Sequence, residues 1–118
     1  MKIKLNNKVL KTKVCSTPKQ KMEGMQNKKF DGFNAMLFLL GNDYDCFWMK
    51  DCIIPLDILF LDHKFRIVKI FESCPPCKTE DCERYCSEGN YVLELPSGYC
   101  KKNKISVEDS ITLLSPTH

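Results

Sequence analysis

The sequence predicts a β-rich α+β fold: one compact domain built on a mostly antiparallel, small barrel-like sheet with one or two short helices. Three observations predict it. Short runs of alternating or wholly apolar residues recur along the chain, separated by Asn, Gly, Pro and Asp turn signals. Only two stretches carry helix signals, and both are short. A chain of 118 residues with an ordinary globular composition forms one domain, 1–118, and is long enough to bury a core without staples.

Each element has its own local reason. Lys2, Lys4, Lys11 and Lys13 alternate with Ile3, Leu5, Leu10 and Val14, which predicts half-buried strands over 2–5 and 8–14. Asn6-Asn7 between them is a two-residue turn, because asparagine tolerates positive φ. Thr17-Pro18-Lys19-Gln20 predicts a helix start: a threonine cap, proline at the first helical position and glutamine three residues after the cap. Gly24 ends that helix. Residues 27–34 are polar and read as a loop. The run 35–40 is a buried strand, stopped by Gly41-Asn42-Asp43.

The runs 46–49 and 58–61 are apolar on both faces and read as interior strands. They are joined by an ordered connection in which Pro55 holds Ile54 extended. Asp62-His63-Lys64 turns into a strand over 66–71, with His63 solvated. Residues 72–90 form a long Cys-rich loop. A strand over 91–95, a short helix within 96–103 and a closing strand over 110–114 complete the chain.

Composition narrows the function. Residues 2–29 carry nine lysines and the single acid Glu23, yet the net charge is only +3. Just two arginines occur, and no aromatic residue precedes Phe30, whereas nucleic-acid readout favours arginine and stacking platforms. Nucleic acid is therefore not an expected partner. No run approaches the roughly 18 apolar residues of a membrane span, so no membrane is expected either. The stretch Met1 to Leu5 lacks the apolar segment of a secretory signal, which places the expected protein in the cytoplasm or in a particle assembled there.

Asp57 is the conspicuous polar residue. It shares a strand face with Leu59 and Leu61, and a carboxylate at that depth needs a cation or several N–H donors. Lys50 and the N–H groups of residues 51–54 are the nearest in sequence. Asp57 either pins this connection or serves a ligand.

Several motifs occur in a telling order: Gly24-Met25, Met36-Leu37-Phe38, Phe47-Trp48-Met49-Lys50, Ile54-Pro55-Leu56-Asp57-Ile58-Leu59-Phe60, Pro75-Pro76-Cys77 followed by Cys82, and Tyr91-Val92-Leu93-Glu94-Leu95. On these the chain resembles the uncharacterised DUF-192 family from Val14 to Leu113. The resemblance implies a small, single-domain, β-rich protein with no reaction attached, and many relatives are exported from bacteria. The chain departs from the family pattern at Asp51-Cys52, Ala35 and Glu108-Asp109.

Eight cysteines are many for this length. Cys74, Cys77, Cys82 and Cys86 cluster, and Cys-x2-Cys is half of a usual zinc site, although the following four-residue spacing is too short for a typical finger. The resemblance implies a Cys77–Cys82 disulfide, as in exported relatives, with room for a nested Cys74–Cys86 bridge. A redox role lacks the expected helix N-terminus, and reduced thiols without a role remain a further alternative. Cys15, Cys46, Cys52 and Cys100 read as core or near-surface thiols. No cofactor is expected, zinc being the one candidate.

Function follows as three readings. The leading one is a non-enzymatic module that binds a protein or small-ligand partner around Trp48, Lys50 and Asp57. A second is a structural subunit of a larger assembly such as a phage virion. A third is a small enzyme using Asp57 with Lys50. It is weakened because no Ser-His-Asp, Cys-His or paired-carboxylate set can be assembled from two histidines, one of them the last residue, His118.

Overall fold

The computed structural model describes residues 1–114; His118 lies outside them. Nine strands and two short helices follow in order: β1 (Lys2–Leu5), β2 (Lys8–Cys15), α1 (Pro18–Glu23), β3 (Ala35–Leu39), β4 (Tyr44–Phe47), β5 (Leu56–Leu61), β6 (Ile67–Cys74), β7 (Tyr85–Glu88), β8 (Tyr91–Pro96), α2 (Tyr99–Lys102) and β9 (Ile111–Leu114). Seven strands form one sheet in the order β6-β5-β8-β3-β2-β1-β9, and β4 pairs with β7 as a separate ribbon. Every pairing is antiparallel except β2 with β3. The expected β-rich α+β architecture is what the chain adopts.

Local chemistry sets the ends of the elements. Asn6 adopts φ 54° at the β1–β2 turn. Thr17 Oγ1 accepts from the Gln20 N–H at 3.1 Å, and Gln20 Oε1 accepts from the Thr17 N–H at 3.1 Å, a reciprocal cap that starts α1. Gly24, at φ 44°, ends it. α1 lies on the crossover that a parallel β2–β3 pair requires.

The sheet curls into a half-barrel. Its two edge strands meet at one end, where Arg66 bridges Ser110 and the Ile111 N–H donates to the Phe65 carbonyl at 3.0 Å. Both faces are buried. One carries Ile3, Leu5, Leu37, Leu59, Leu93 and Leu95 under Cys100 and Ile105. The other carries Met36, Phe38, Ile58, Phe60 and Val92 under Met25, Met49, Cys52 and Tyr85. Hence β3, β5 and β8 read as continuous apolar runs.

Three expectations are corrected. The run 46–49 is not an interior strand: β4 sits two residues earlier, outside the main sheet, with Tyr44 and Cys46 exposed. Phe47 and Met49 are apolar because they cover the second face, where Phe47 meets Phe38 and Phe60 edge-on at 5.0 and 5.9 Å. The loop expected over 72–90 is shorter, because β6 runs to Cys74 and β7 begins at Tyr85. What signals β7 is its distant partner β4, which a local pattern cannot reveal.

The third correction concerns the cysteines. Cys77–Cys82 is bonded as the resemblance implied, with Cα atoms 5.9 Å apart. Cys86 pairs with Cys46 across the β4–β7 ribbon, not with Cys74. Cys74 ends β6 opposite Leu56 and points into the second core, where it is buried and free with Cys15, Cys52 and Cys100 in the same state. No helix among the described residues is long and apolar enough to cross a membrane.

Mass spectrometry of the purified, non-reduced protein should find it four hydrogens lighter than the reduced chain. Peptide mapping should link Cys46 to Cys86 and Cys77 to Cys82; a Cys74–Cys86 peptide would contradict this fold.

Candidate functional site

Asp57 is fully buried in β5. Between the pairs Leu56–Cys74 and Ile58–Phe71, Asp57 alone on β5 faces both Glu72 and Ser73 on β6, which is a β-bulge. The bulge turns the Ser73 backbone to φ 52°, and its N–H donates to Asp57 Oδ1 at 2.8 Å. The N–H groups of Gly98 and Cys100, at the start of α2, donate to Oδ1 at 3.2 Å and to Oδ2 at 3.0 Å. Both oxygens are satisfied by backbone alone. The donors suggested by sequence proximity, Lys50 and residues 51–54, are not among them.

Lys50 is engaged elsewhere. Its ammonium pairs with Glu80 on the Cys-rich segment and lies 5.4 Å from the centre of the Trp48 ring. The Arg84 guanidinium approaches the same ring at 4.1 Å. Trp48 and Lys50 are therefore together, whereas Asp57 answers to a different part of the fold.

The loop cysteines do not converge as four ligands, since two disulfides take three of them and Cys74 is buried apart. Among the described residues, no group of three or more His, Cys, Asp or Glu is placed to hold a metal ion. Burial pushes the Cys52 thiol up to about 12 and the Cys74 thiol up to about 11. Such thiols stay protonated and are poor nucleophiles.

A pocket of about 270 Å³ lies on the second face of the sheet. Residues from Lys21 to Gln26, at the end of α1, form one wall; Asp45, Cys46, Phe47 and Trp48 form the other, with Phe38 and Cys52 between them. The walls are tied by the Gln26–Cys52 bridge and by the Asn27 N–H donating to the Asp51 carbonyl at 2.9 Å. Gly24 keeps the space near Phe38 open, because a Cβ there would sit 3.3 Å from the ring in a left-handed backbone.

Glu94 reaches this pocket from β8, where it stands between Met36 of β3 and Ile58 of β5. It is 4% exposed, and its Oε1 has no hydrogen-bond partner among the described residues. Burial raises its carboxyl to about 8. An acid in an apolar strand is the same signal that singles out Asp57, and Glu94 carries it between Leu93 and Leu95. In sequence it is one residue of a strand. What distinguishes the two acids is the donor count, which only the tertiary structure reveals.

The DUF192 family model, described as an uncharacterized ACR, matches residues 1–113. A protein from Sinorhizobium meliloti 1021, provisionally described as a transcription regulator, is similar in structure with a TM-score of 0.82 and 26% identity, over 94% of this chain and 89% of that one. A protein of unknown function from Novosphingobium aromaticivorans has the same fold, with a TM-score of 0.84 and 21% identity over 96% of this chain and 84% of that one. No curated protein matches the chain.

Two stability measurements follow from the two acids. Asp57→Asn replaces one acceptor oxygen with an amide that faces a backbone N–H, and urea denaturation should show a loss of about 2–4 kcal/mol; unchanged stability would refute the structural role. Glu94 binds its proton more tightly folded than unfolded, so its contribution is intact below pH 4.5 and is lost as pH rises to about 8. At about 1.36 kcal/mol per unit, the loss is on the order of 4 kcal/mol. Glu94→Gln should remove this decline, leaving the variant the more stable protein at pH 8.5.

Proposed function

The chain belongs to the DUF192 family, and on that footing we propose that it is a non-enzymatic binding module whose small-ligand site is the pocket between Trp48 and Glu94. The observation that carries the reading is a preformed, aromatic-walled space reached by a buried carboxyl with an oxygen left unpaired. Small-molecule sites have this composition: mostly apolar walls with a few polar groups that fix orientation. On this reading the region around Trp48 has the binding role that the sequence suggests for it. Asp57 supports the sheet on its opposite face, and Lys50 with Glu80 holds the Cys-rich segment beside Trp48.

Binding fits the pocket better than catalysis. Its one thiol on a free cysteine, Cys52, is held protonated, and among the described residues no histidine or hydroxyl nucleophile lines it. The transcription-regulator description of the Sinorhizobium neighbour finds little to rest on here. The helices have six and four residues, too short for a recognition helix in a major groove. The two disulfides favour an oxidising compartment over the cytoplasm expected from the sequence.

A fragment library screened by two-dimensional amide NMR tests the reading. Hits should shift the Trp48 indole N–H and the amides of Gly24, Gln26 and Cys52 together. A library without hits, or hits confined to residues outside the pocket, would overturn it.

A further inference from the structure

We propose, resting on the pocket described above, that its ligand is an organic cation: a primary or secondary amine with a small apolar body, its ammonium seated on Glu94 and its body against Phe38, Phe47 and Trp48. Three independent features converge on this class. The first is Glu94 itself. Its carboxyl lines the pocket with Oε1 unpartnered among the described residues, and a cation beside that carboxyl supplies the charge that makes its ionised form tolerable at that depth.

The second is the wall. Phe38, Phe47 and Trp48 line the pocket, and ammonium groups are drawn to aromatic rings of this kind. Trp48 already attracts Lys50 and Arg84 at 5.4 and 4.1 Å, so positive charge is accommodated at this ring. The third is the charge balance. The protein carries a net charge of +3, yet among the described residues the pocket is lined by three acids, Glu23, Asp45 and Glu94, and by one basic residue, Lys21. An anionic ligand would meet the wrong sign. A neutral ligand would leave the aromatic and acidic lining without a purpose.

The cost of ionising Glu94 is within reach of such a ligand. With its carboxyl raised to about 8, the ionised form at pH 7 is disfavoured by only about tenfold. The groups facing Glu94 do not reverse this. Lys21 and Glu23 come from α1 and Asp45 from β4, while Cys15 of β2, Cys52 and Cys74 of β6 are thiols whose pKa is raised, so they stay protonated and uncharged. Amine binding therefore expels the Glu94 proton, and affinity rises with pH until that proton is already gone.

The single tryptophan, Trp48, lies in the pocket wall and serves as the reporter. Its fluorescence is titrated with 2-phenylethylamine and with the neutral isostere 2-phenylethanol, at pH 6, 7 and 8, on the full chain and on Glu94→Gln. The amine should bind at least tenfold more tightly than the alcohol at pH 7. Its affinity should rise about tenfold between pH 6 and 7 and about fivefold more between pH 7 and 8. Glu94→Gln should weaken the amine at least tenfold and abolish the pH trend.

Equal affinity for amine and alcohol, an amine affinity independent of pH, or one untouched by Glu94→Gln overturns the cation assignment. Fragment hits in the pocket would still sustain the binding-module reading. Absence of amine binding at every pH overturns the assignment as well, and coupled with an empty fragment screen it removes both. Should Glu94→Gln lose its native circular dichroism, the amine–alcohol ratio and the pH profile of the unaltered chain decide the matter alone.

Discussion

The carboxylate of Asp57 is the contact on which the arrangement of the molecule turns. It gathers N–H groups from the bulge in β6 and from the start of α2. Placing a bulge opposite the acid turns the Ser73 N–H toward it, and the Ser97 hydroxyl donates to the Ser73 hydroxyl at 3.0 Å. α2 is thereby fixed over the first face, with Cys100 fully buried beneath it. Burial, followed by the proximity of Asp57, pushes that thiol up. The acid thus organises a helix of four residues that has little stability of its own.

Asp57 and Glu94 sit on adjacent strands of the same sheet and project to opposite faces. The face of Asp57 is sealed, because its oxygens meet three donors. The face of Glu94 has a gap between α1 and the β4–β7 ribbon, and among the described residues none donates to its Oε1. The same residue class in the same strand environment yields a brace on one side and an open valence on the other. An unpaired buried oxygen is costly, so it concentrates binding energy for any partner that satisfies it.

Much of the fold was legible because it is written locally. The alternation of Lys2 to Leu5, the reciprocal cap at Thr17 and Gln20, and the glycine at 24 each act within a few residues, and each appears where the pattern put it. The two-sided apolar runs of β3, β5 and β8 likewise announce central strands. What escaped depends on distant partners. The donors to Asp57 lie 16, 41 and 43 residues along the chain, and Cys46 and Cys86 are separated by 40. Looking to Lys50 for Asp57, and to Cys74 for Cys86, substitutes nearness in sequence for nearness in space. Trp48 was found by its apolar neighbourhood, and Glu94 was overlooked because a single acid within a strand is ambiguous until its donors are counted.

The pairing of β1 with β9, Lys2 opposite Leu114, has a consequence for how the protein is made. β1 is synthesised well before its outer neighbour. At roughly 5–20 residues per second, the edge of β1 stands open for about 5–20 s until β9 is synthesised. During that interval a nascent hairpin presents Ile3 and Leu5 with no cover. Lys2 and Lys4 keep that edge charged, which discourages neighbouring nascent chains from adding a strand of their own before Ile111–Leu114 arrives.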